Sequence, residues 1–343
     1  MSGSSASSKR KVFLRRLRGM SFDRMNKCIN DVHREFGVSR AVTFADMVWC
    51  ALHYKVGYLD YRTFGFAVIH GAARKTYMTM GDNIELVHKV NDPECYVLFD
   101  DKVSFNKLFA DYIGREWIDL NECDEGRFAA FCEGRSDFFA KNAGIFGGKG
   151  VEKIDLTGGR DLNELYSYLK ENGMTLCEQR IIQHHEMSRL CPISVNTIRM
   201  ATLIGADGEP HLLYSLLRMS GGGNNVDNIS SGGMYVPVGD DGVVTKPAFR
   251  QNYGEFFEVH PISGESIVGF TVPYYEEAKA LVKKAALVEP RMRYVGWDVA
   301  ITEDGPILVE GNNFPSYDMV QTYGQQEGRT GILPLVREIL GES

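Results

Sequence analysis

Asp298, Glu310 and Asn312 carry two carboxylates and an amide oxygen, the donor types that a hard divalent cation selects. They lie in YVGWDVAITEDGPILVEGNNFPSYDMVQ, residues 294–321, which reads as two strands around a tight turn followed by a polar loop. Strand parity decides whether they act together. A three-residue loop of Glu303, Asp304 and Gly305 sets Thr302 opposite Pro306 and therefore Asp298 opposite Glu310, with Gly305 in left-handed backbone. Asn312, two residues further on, then projects from the same face. A two-residue loop of Asp304 and Gly305 would shift the pairing by one and separate the carboxylates. The first register is expected because it alone aligns the trio. The competing reading is a surface hairpin with scattered acids, which leaves acceptors crowded by apolar residues without a cation. The donor set suits Mg²⁺, with Mn²⁺ as the alternative; Mg²⁺ is often held jointly with substrate phosphates.

A phosphate partner is therefore the next thing to seek. AKNAGIFGGKGV, residues 140–151, places Gly144, Gly147, Gly148 and Gly150 between two expected strands, where backbone N–H groups can approach a polyphosphate. Lys141 and Lys149 bracket the loop, and Lys102 begins a helix after paired aspartates. The pattern is not a P-loop, because GxxxxGK[ST] before a helix is absent. Taken alone, it reads first as a flexible hairpin turn with solvated lysines. No Ser, Cys or Asp stands beside an evident base as a protein nucleophile.

The positioning elements are legible in outline. Residues 28–80 read as short helices interrupted by glycines. CYVLF, from Cys95, reads as a short strand, followed by a helix with Ser104 as N-cap. SDFFAK and VEKIDL read as strands, then a helix capped by Asp161 and ended by Asn172-Gly173. TLCEQRII, VNTIRMATLI and HLLYSLLRM are apolar strands. The long polar segment SGGGNNVDNISSGGMY follows, of a length that is often functional. Pro273 opens a helix, and Ile332–Leu340 forms the last one. His33, His53 and His70 read as structural, and His184, His185 and His260 as supporting or surface groups.

The composition suits a globular protein: 343 residues, 44% hydrophobic and 24% charged. A net charge of −7 argues against a nucleic-acid partner. Seven scattered cysteines without a CxxC pair point to a reducing compartment and to neither a disulfide framework nor a zinc site. With no recognisable signal peptide or membrane span, the expected location is cytoplasmic. Lys9–Lys27 is strongly basic and includes apolar residues, so it reads either as an amphipathic segment on the inner face of a membrane or as a helix that is solvated or packed on the body.

Together, Lys102 in FDDKVSFNKLF, Lys141 with GIFGGKGV, Glu178 in LCEQRI, NTIR at 196–199 and the Asp298/Glu310/Asn312 set resemble the ATP-grasp superfamily. RKTYMTMGDNIELVHKVND, VDNISSGGMYVPV, HPISG and GWDVAITEDGPILVEGNN resemble more specifically the sugar-transfer-associated ATP-grasp family, over roughly residues 55–325. The resemblance implies an α+β ATP-grasp fold of two lobes clamping ATP. Residues 1–27 would be a leader, 28–95 a mainly helical region in place of a Rossmann-like domain, 96–177 one lobe and 178–343 the other, with the metal site. It implies that Lys102 and Lys141 contact ATP phosphates, under a lid of residues 144–150 that includes Lys149. Glu178, Gln179 and Ile181 would line the adenine pocket, and Glu186 the ribose, although QHHEM departs from the family's glycine-containing segment. Asp298, Glu310 and Asn312 would hold Mg²⁺. Arg199 would stabilise the transferred phosphoryl, and Arg218, Asp227 and Asn228 would sit where substrate is selected. The implied activity is ATP-dependent carboxylate–amine ligation through an acyl phosphate, on a small-molecule or sugar-linked substrate. A phosphotransferase acting on a sugar or polyol and a non-catalytic ATP-binding protein of glycan assembly are the alternatives.

Overall fold

The computed structural model describes residues 21–142, 150–222, 232–250, 254–326 and 328–342. The chain forms two compact units, Met1–Asn83 with Tyr317–Gly331, and Ile84–Ser316 with Ile332–Ser343.

The first unit is helical, as expected. Phe22–Phe36 is capped by Ser21 and closed by Gly37 in left-handed backbone, and Arg40–His53 is capped by Ser39. Tyr58–Thr63 and a 3₁₀ turn, Gly71–Thr76, complete it. Its core is aromatic, with Tyr77 5.1 Å from Phe64 and 5.2 Å from Phe66 between ring centroids. The Arg74 guanidinium, buried here, is neutralised by Asp46 at 2.9 Å.

The second unit holds two antiparallel sheets. Its strands are β1 (Trp117–Asp119), β2 (Asp137–Lys141), β3 (Val151–Asp155), β4 (Leu176–Gln179), β5 (Thr197–Ile204), β6 (Pro210–Met219), β7 (Met234–Pro237), β8 (Ala248–Arg250), β9 (Glu255–Phe257), β10 (Tyr294–Thr302) and β11 (Gly305–Asn312). One sheet runs β1-β4-β2-β3 and the other β11-β10-β5-β6-β7-β8-β9. In β2, Phe138 and Ala140 point into a core with Phe128, Phe131 and Leu169, so alternation turns Lys141 to the other face. In the larger sheet Ile198, Met200, Trp297 and Val299 join the main core with Ala278 and Val282 of the helix Tyr275–Ala286. The residues between them, Arg199 and Asp298, are thereby set on the opposite face.

Three local readings need correction. CYVLF is not a strand: Asp92 accepts from the Glu94 N–H at 3.0 Å and Pro93 opens a 3₁₀ turn that runs into the helix Val97–Asp100. A five-residue apolar run does not distinguish a strand from a helical turn, and Cys95 and Phe99, four apart, are buried together. The N-cap of Lys102–Leu108 is Asp101, whose carboxylate accepts from the Ser104 N–H at 2.7 Å. The 302–306 turn follows neither expected register. Thr302 pairs with Gly305 around a two-residue loop of Glu303 and Asp304, and a bulge at Val309 then restores Asp298 opposite Glu310. The pairing of the carboxylates holds, but the bulge produces it and the turn does not. Gly305, at φ +122°, meets the backbone demand of that turn.

Gly311 lies beside Glu310, where a Cβ would come within 2.8 Å of Phe105 Cε2 and 2.9 Å of Phe99 Cδ1. Both rings are buried, so neither can move aside freely. Gly311→Ala should lower stability by about 1–3 kcal/mol in a denaturant titration; an unchanged midpoint would contradict this packing.

Candidate active site

The cross-strand registers align three ionisable side chains in one row. Asp298 on β10 faces Arg199 on β5 and Glu310 on β11. Directly opposed residues share a face of the sheet, so the row follows from the pairing alone. Arg199 Nη2 donates to Asp298 Oδ2 at 2.9 Å and its Nε to Oδ1, a bidentate fork. Arg218, on β6 and paired with Thr197 two residues from Arg199, donates from Nη1 to the same Oδ2 at 3.0 Å. Both arginines and Asp298 are buried. Burial alone would raise the Asp298 carboxyl, but Arg199 and then Arg218 hold it well below the usual carboxylate range.

Glu310 behaves oppositely. One side of its side chain is open to solvent while protein crowds the rest. Loss of hydration first and the Asp298 carboxylate second push its carboxyl up to about 7, against the pull of the arginines. Two carboxylates sharing a hydrogen bond, with one of them held near neutral pH, are a donor set that a divalent cation relieves. The residues therefore fit Mg²⁺. Asn312 lies two residues beyond Glu310 and donates from Nδ2 to Gly296 O at 3.2 Å.

A second cluster surrounds Glu178 on β4. Its buried carboxylate accepts from Arg115 Nη2 at 2.7 Å and Asn106 Nδ2 at 2.8 Å, and forms an ion pair with Lys141 through Oε2. Burial opposes ionisation here too, but Lys141 and then Arg115 hold this carboxyl well below its ordinary range. Lys102, half-buried at the start of its helix, has its ammonium pKa lowered by desolvation, an effect that Glu310 opposes and Lys141 reinforces. Five cations, Lys102, Arg115, Lys141, Arg199 and Arg218, thus gather with three carboxylates, Glu178, Asp298 and Glu310, an imbalance suited to a polyanion.

Arg115 and Asn106 carry no sequence motif. The one signal was indirect: a carboxylate on an apolar strand needs a partner, and Arg115 leads into β1, which pairs with β4. Gln179 is exposed and bonds back to Glu116 N at 3.2 Å; Ile181 is half-buried. Glu186 pairs with Arg189 at 2.8 Å. Asn196, in NTIR, is buried and donates to Met187 O at 2.7 Å, anchoring the segment that leads into β5. Of the histidines, His185 meets Glu303 in the hairpin turn through Nδ1 at 3.0 Å, and His260 is buried with Nε2 2.9 Å from Ser220 O. HPISG thus ties down Ser220, the residue after β6. Gly144, Gly147, Gly148, Lys149, Asp227 and Asn228 lie outside the described residues.

The two carboxyl shifts have opposite consequences for stability. Glu178 is depressed on folding, so its contribution is present above the ordinary value of 4.5 and lost as pH falls below it. Glu310 is raised, so its contribution is present below 4.5 and lost as pH rises through about 7. In metal-free protein, Glu310→Gln should flatten the pH dependence of the melting midpoint between those two values. A pH profile identical to wild type would contradict the shift.

Among solved structures, the ATP-grasp ligase PsnB complexed with minimal precursor is 14% identical, with a TM-score of 0.44 over 74% of this chain and 64% of that one. The ADP complex of N5-carboxyaminoimidazole ribonucleotide synthetase is 12% identical (TM-score 0.42, 71% and 52%). D-alanyl-alanine synthetase A from Vibrio cholerae O1 biovar eltor str. N16961 is 10% identical (TM-score 0.42, 73% and 66%). The chain thus spans about two thirds or less of the length of each. No curated protein matches the sequence. Residues 82–331, well over half of the chain, match the family described as sugar-transfer associated ATP-grasp, and the chain belongs to that family, with its α+β ATP-grasp fold.

Proposed function

We propose that this protein is a Mg²⁺- and ATP-dependent carboxylate–amine ligase. The observation that carries this reading is the row Glu310–Asp298–Arg199 with Arg218 beside it: paired carboxylates next to paired guanidinium groups. Phosphoryl transfer is governed by positioning and by neutralising charge on the transferred group, and that is what such a cluster can supply. A substrate carboxylate oxygen would attack the γ-phosphorus of ATP, with ADP leaving, to give an acyl phosphate. An amine nitrogen would then attack the acyl carbon, expelling phosphate and losing its proton, to give the amide.

Glu310 and Asn312, with Asp298, would hold Mg²⁺, which neutralises phosphate charge when bound. In the structure both Asp298 oxygens are taken by arginines, which leaves Glu310 as the principal carboxylate donor. Lys102 and Lys141 would contact the phosphates, with Glu178 restraining Lys141 until they arrive. Gln179 and Ile181 would border the base, and Glu186 the ribose. Lys149 and Gly144, Gly147 and Gly148 would cover the phosphates, and Asp227 and Asn228 would meet the substrate. A protein nucleophile finds no support in the thiols, since burial pushes Cys50 up to about 12 and Cys132 up to about 11. All seven cysteines are free, which favours the reducing cytoplasm. The family's description favours a sugar-linked acid or amine in polysaccharide assembly.

Incubation with ATP, Mg²⁺ and paired acids and amines should yield ADP, phosphate and an amide by mass spectrometry. A stable phosphorylated product formed without any amine would defeat the ligase reading. Glu310→Ala should lower turnover by about a hundredfold or more while the fold persists; retained activity would sink the metal assignment. Lys141→Ala should chiefly raise the dissociation constant for ATP, measured by calorimetry, and an unchanged constant would remove Lys141 from the phosphate contacts.

A further inference from the structure

Arg115 is bound to protein through every donor that it has. Its side chain is 4% exposed, and the N–H groups of its guanidinium all find acceptors. Nε and Nη2 donate to Glu178 Oε1 at 3.2 and 2.7 Å. Nη2 also donates to Val309 O at 3.2 Å, and Nη1 donates to Leu308 O at 2.6 Å and Ile113 O at 3.2 Å. Leu308 and Val309 form the bulge of β11, which is the edge strand of its sheet. The two carbonyls that Arg115 takes therefore have no neighbouring strand to bond. Tyr112 completes the attachment by accepting the Leu308 N–H at 2.8 Å. Between them Gly114, at φ +52°, lies so close to β11 that a Cβ would collide with Ile307 Cγ2. Residues 112–115 thus run along the free edge where a further strand would lie.

The bulge decides where Glu310 points. Without the extra residue, the Val299–Leu308 pairing would continue as Asp298 with Val309 and Trp297 with Glu310. Glu310 would then share the core face with Trp297, away from Asp298. Arg115 holds both peptide planes of that bulge, and the plane of the Val309 carbonyl also carries the Glu310 N–H. The same guanidinium is neutralised by Glu178, which pairs with Lys141 through its other oxygen. One planar group therefore links the carboxylate that holds Lys141 to the backbone that aims Glu310. Each of its bonds is charge-assisted, and a lysine ammonium, with three donors on a flexible stem, cannot reproduce the fork. Because its donors are all engaged by protein, Arg115 acts on ligands through Lys141 and Glu310 and does not touch them.

We propose that Arg115 is a positioning residue that sets the spacing between Lys141 and Glu310, so that nucleotide and Mg²⁺ strengthen each other's binding. This rests on the Mg²⁺- and ATP-dependent reading of the site. Calorimetry of the full chain with the non-hydrolysable analogue AMP-PNP, in EDTA and in saturating Mg²⁺, gives the coupling as the ratio of two dissociation constants. Arg115→Lys keeps a charge beside Glu178 and loses the fork. It should lower that ratio by about tenfold, with the constant in EDTA close to that of wild type. Arg115→Ala should lower the ratio at least as far and recover part of it in millimolar guanidinium. An unchanged ratio in Arg115→Lys would overturn the proposal. So would a fall in the melting midpoint with binding weakened equally in EDTA and in Mg²⁺, since that is the mark of general loosening. If wild-type protein binds the analogue no more tightly with Mg²⁺ than without it, the reading of the site fails and the proposal fails with it. Coupling in wild type that both variants retain defeats the proposal alone.

Discussion

The carboxylate of Asp298 holds its place only because Arg199 and Arg218 are there. A buried carboxylate without a partner would take up a proton, and two buried guanidinium groups without a carboxylate would be still harder to accommodate. The three lie on adjacent central strands, β10, β5 and β6, so their mutual neutralisation ties the middle of the large sheet to the chemistry built on it. Glu310 is the dependent member. Sitting beside an already satisfied Asp298, it has no cation of its own strong enough to offset its lost hydration. Adjacent carboxyls thus shift in opposite directions because the guanidinium groups outweigh burial at Asp298 and do not outweigh it at Glu310.

The smaller sheet repeats the principle. Glu178 gathers Arg115, Asn106 and Lys141 around one buried carboxylate. Lys141 is aimed there by strand alternation, since Phe138 and Ala140 occupy the core side of β2. Lys102 feels both Glu310 and Glu178. A positively biased cluster formed from residues of several separated segments is the physical basis on which a polyphosphate would be received.

The hairpin shows how a correct pairing can rest on an incorrect turn. Asp298 opposite Glu310 was expected from a three-residue loop; the chain instead turns through two residues and inserts a bulge at Val309. Glu303, one of the two turn residues, accepts the His185 N–H at 2.7 Å. The Cys95 segment failed differently. Its apolar residues fit a strand or a helical turn equally well, and Asp92 and Pro93 decide for the turn.

Periodicity and capping were readable where the physics is local. The helix after Asp161, the glycine stop at 172–173 and the alternation of β2 need only nearest neighbours in sequence. The donor types of Asp298, Glu310 and Asn312, and the resemblance of their motif to a family, were likewise available from residue identities. The partners were not. Arg199 and Arg218 could be nominated as cations, but their bond to Asp298 depends on the order of three strands spread over about a hundred residues. Arg115 was invisible for the same reason, since its carboxylate stands 63 positions away. Residue identity fixes what a side chain can bind; burial and strand order decide which charge it must neutralise, because an unpaired buried charge is the state a fold cannot keep.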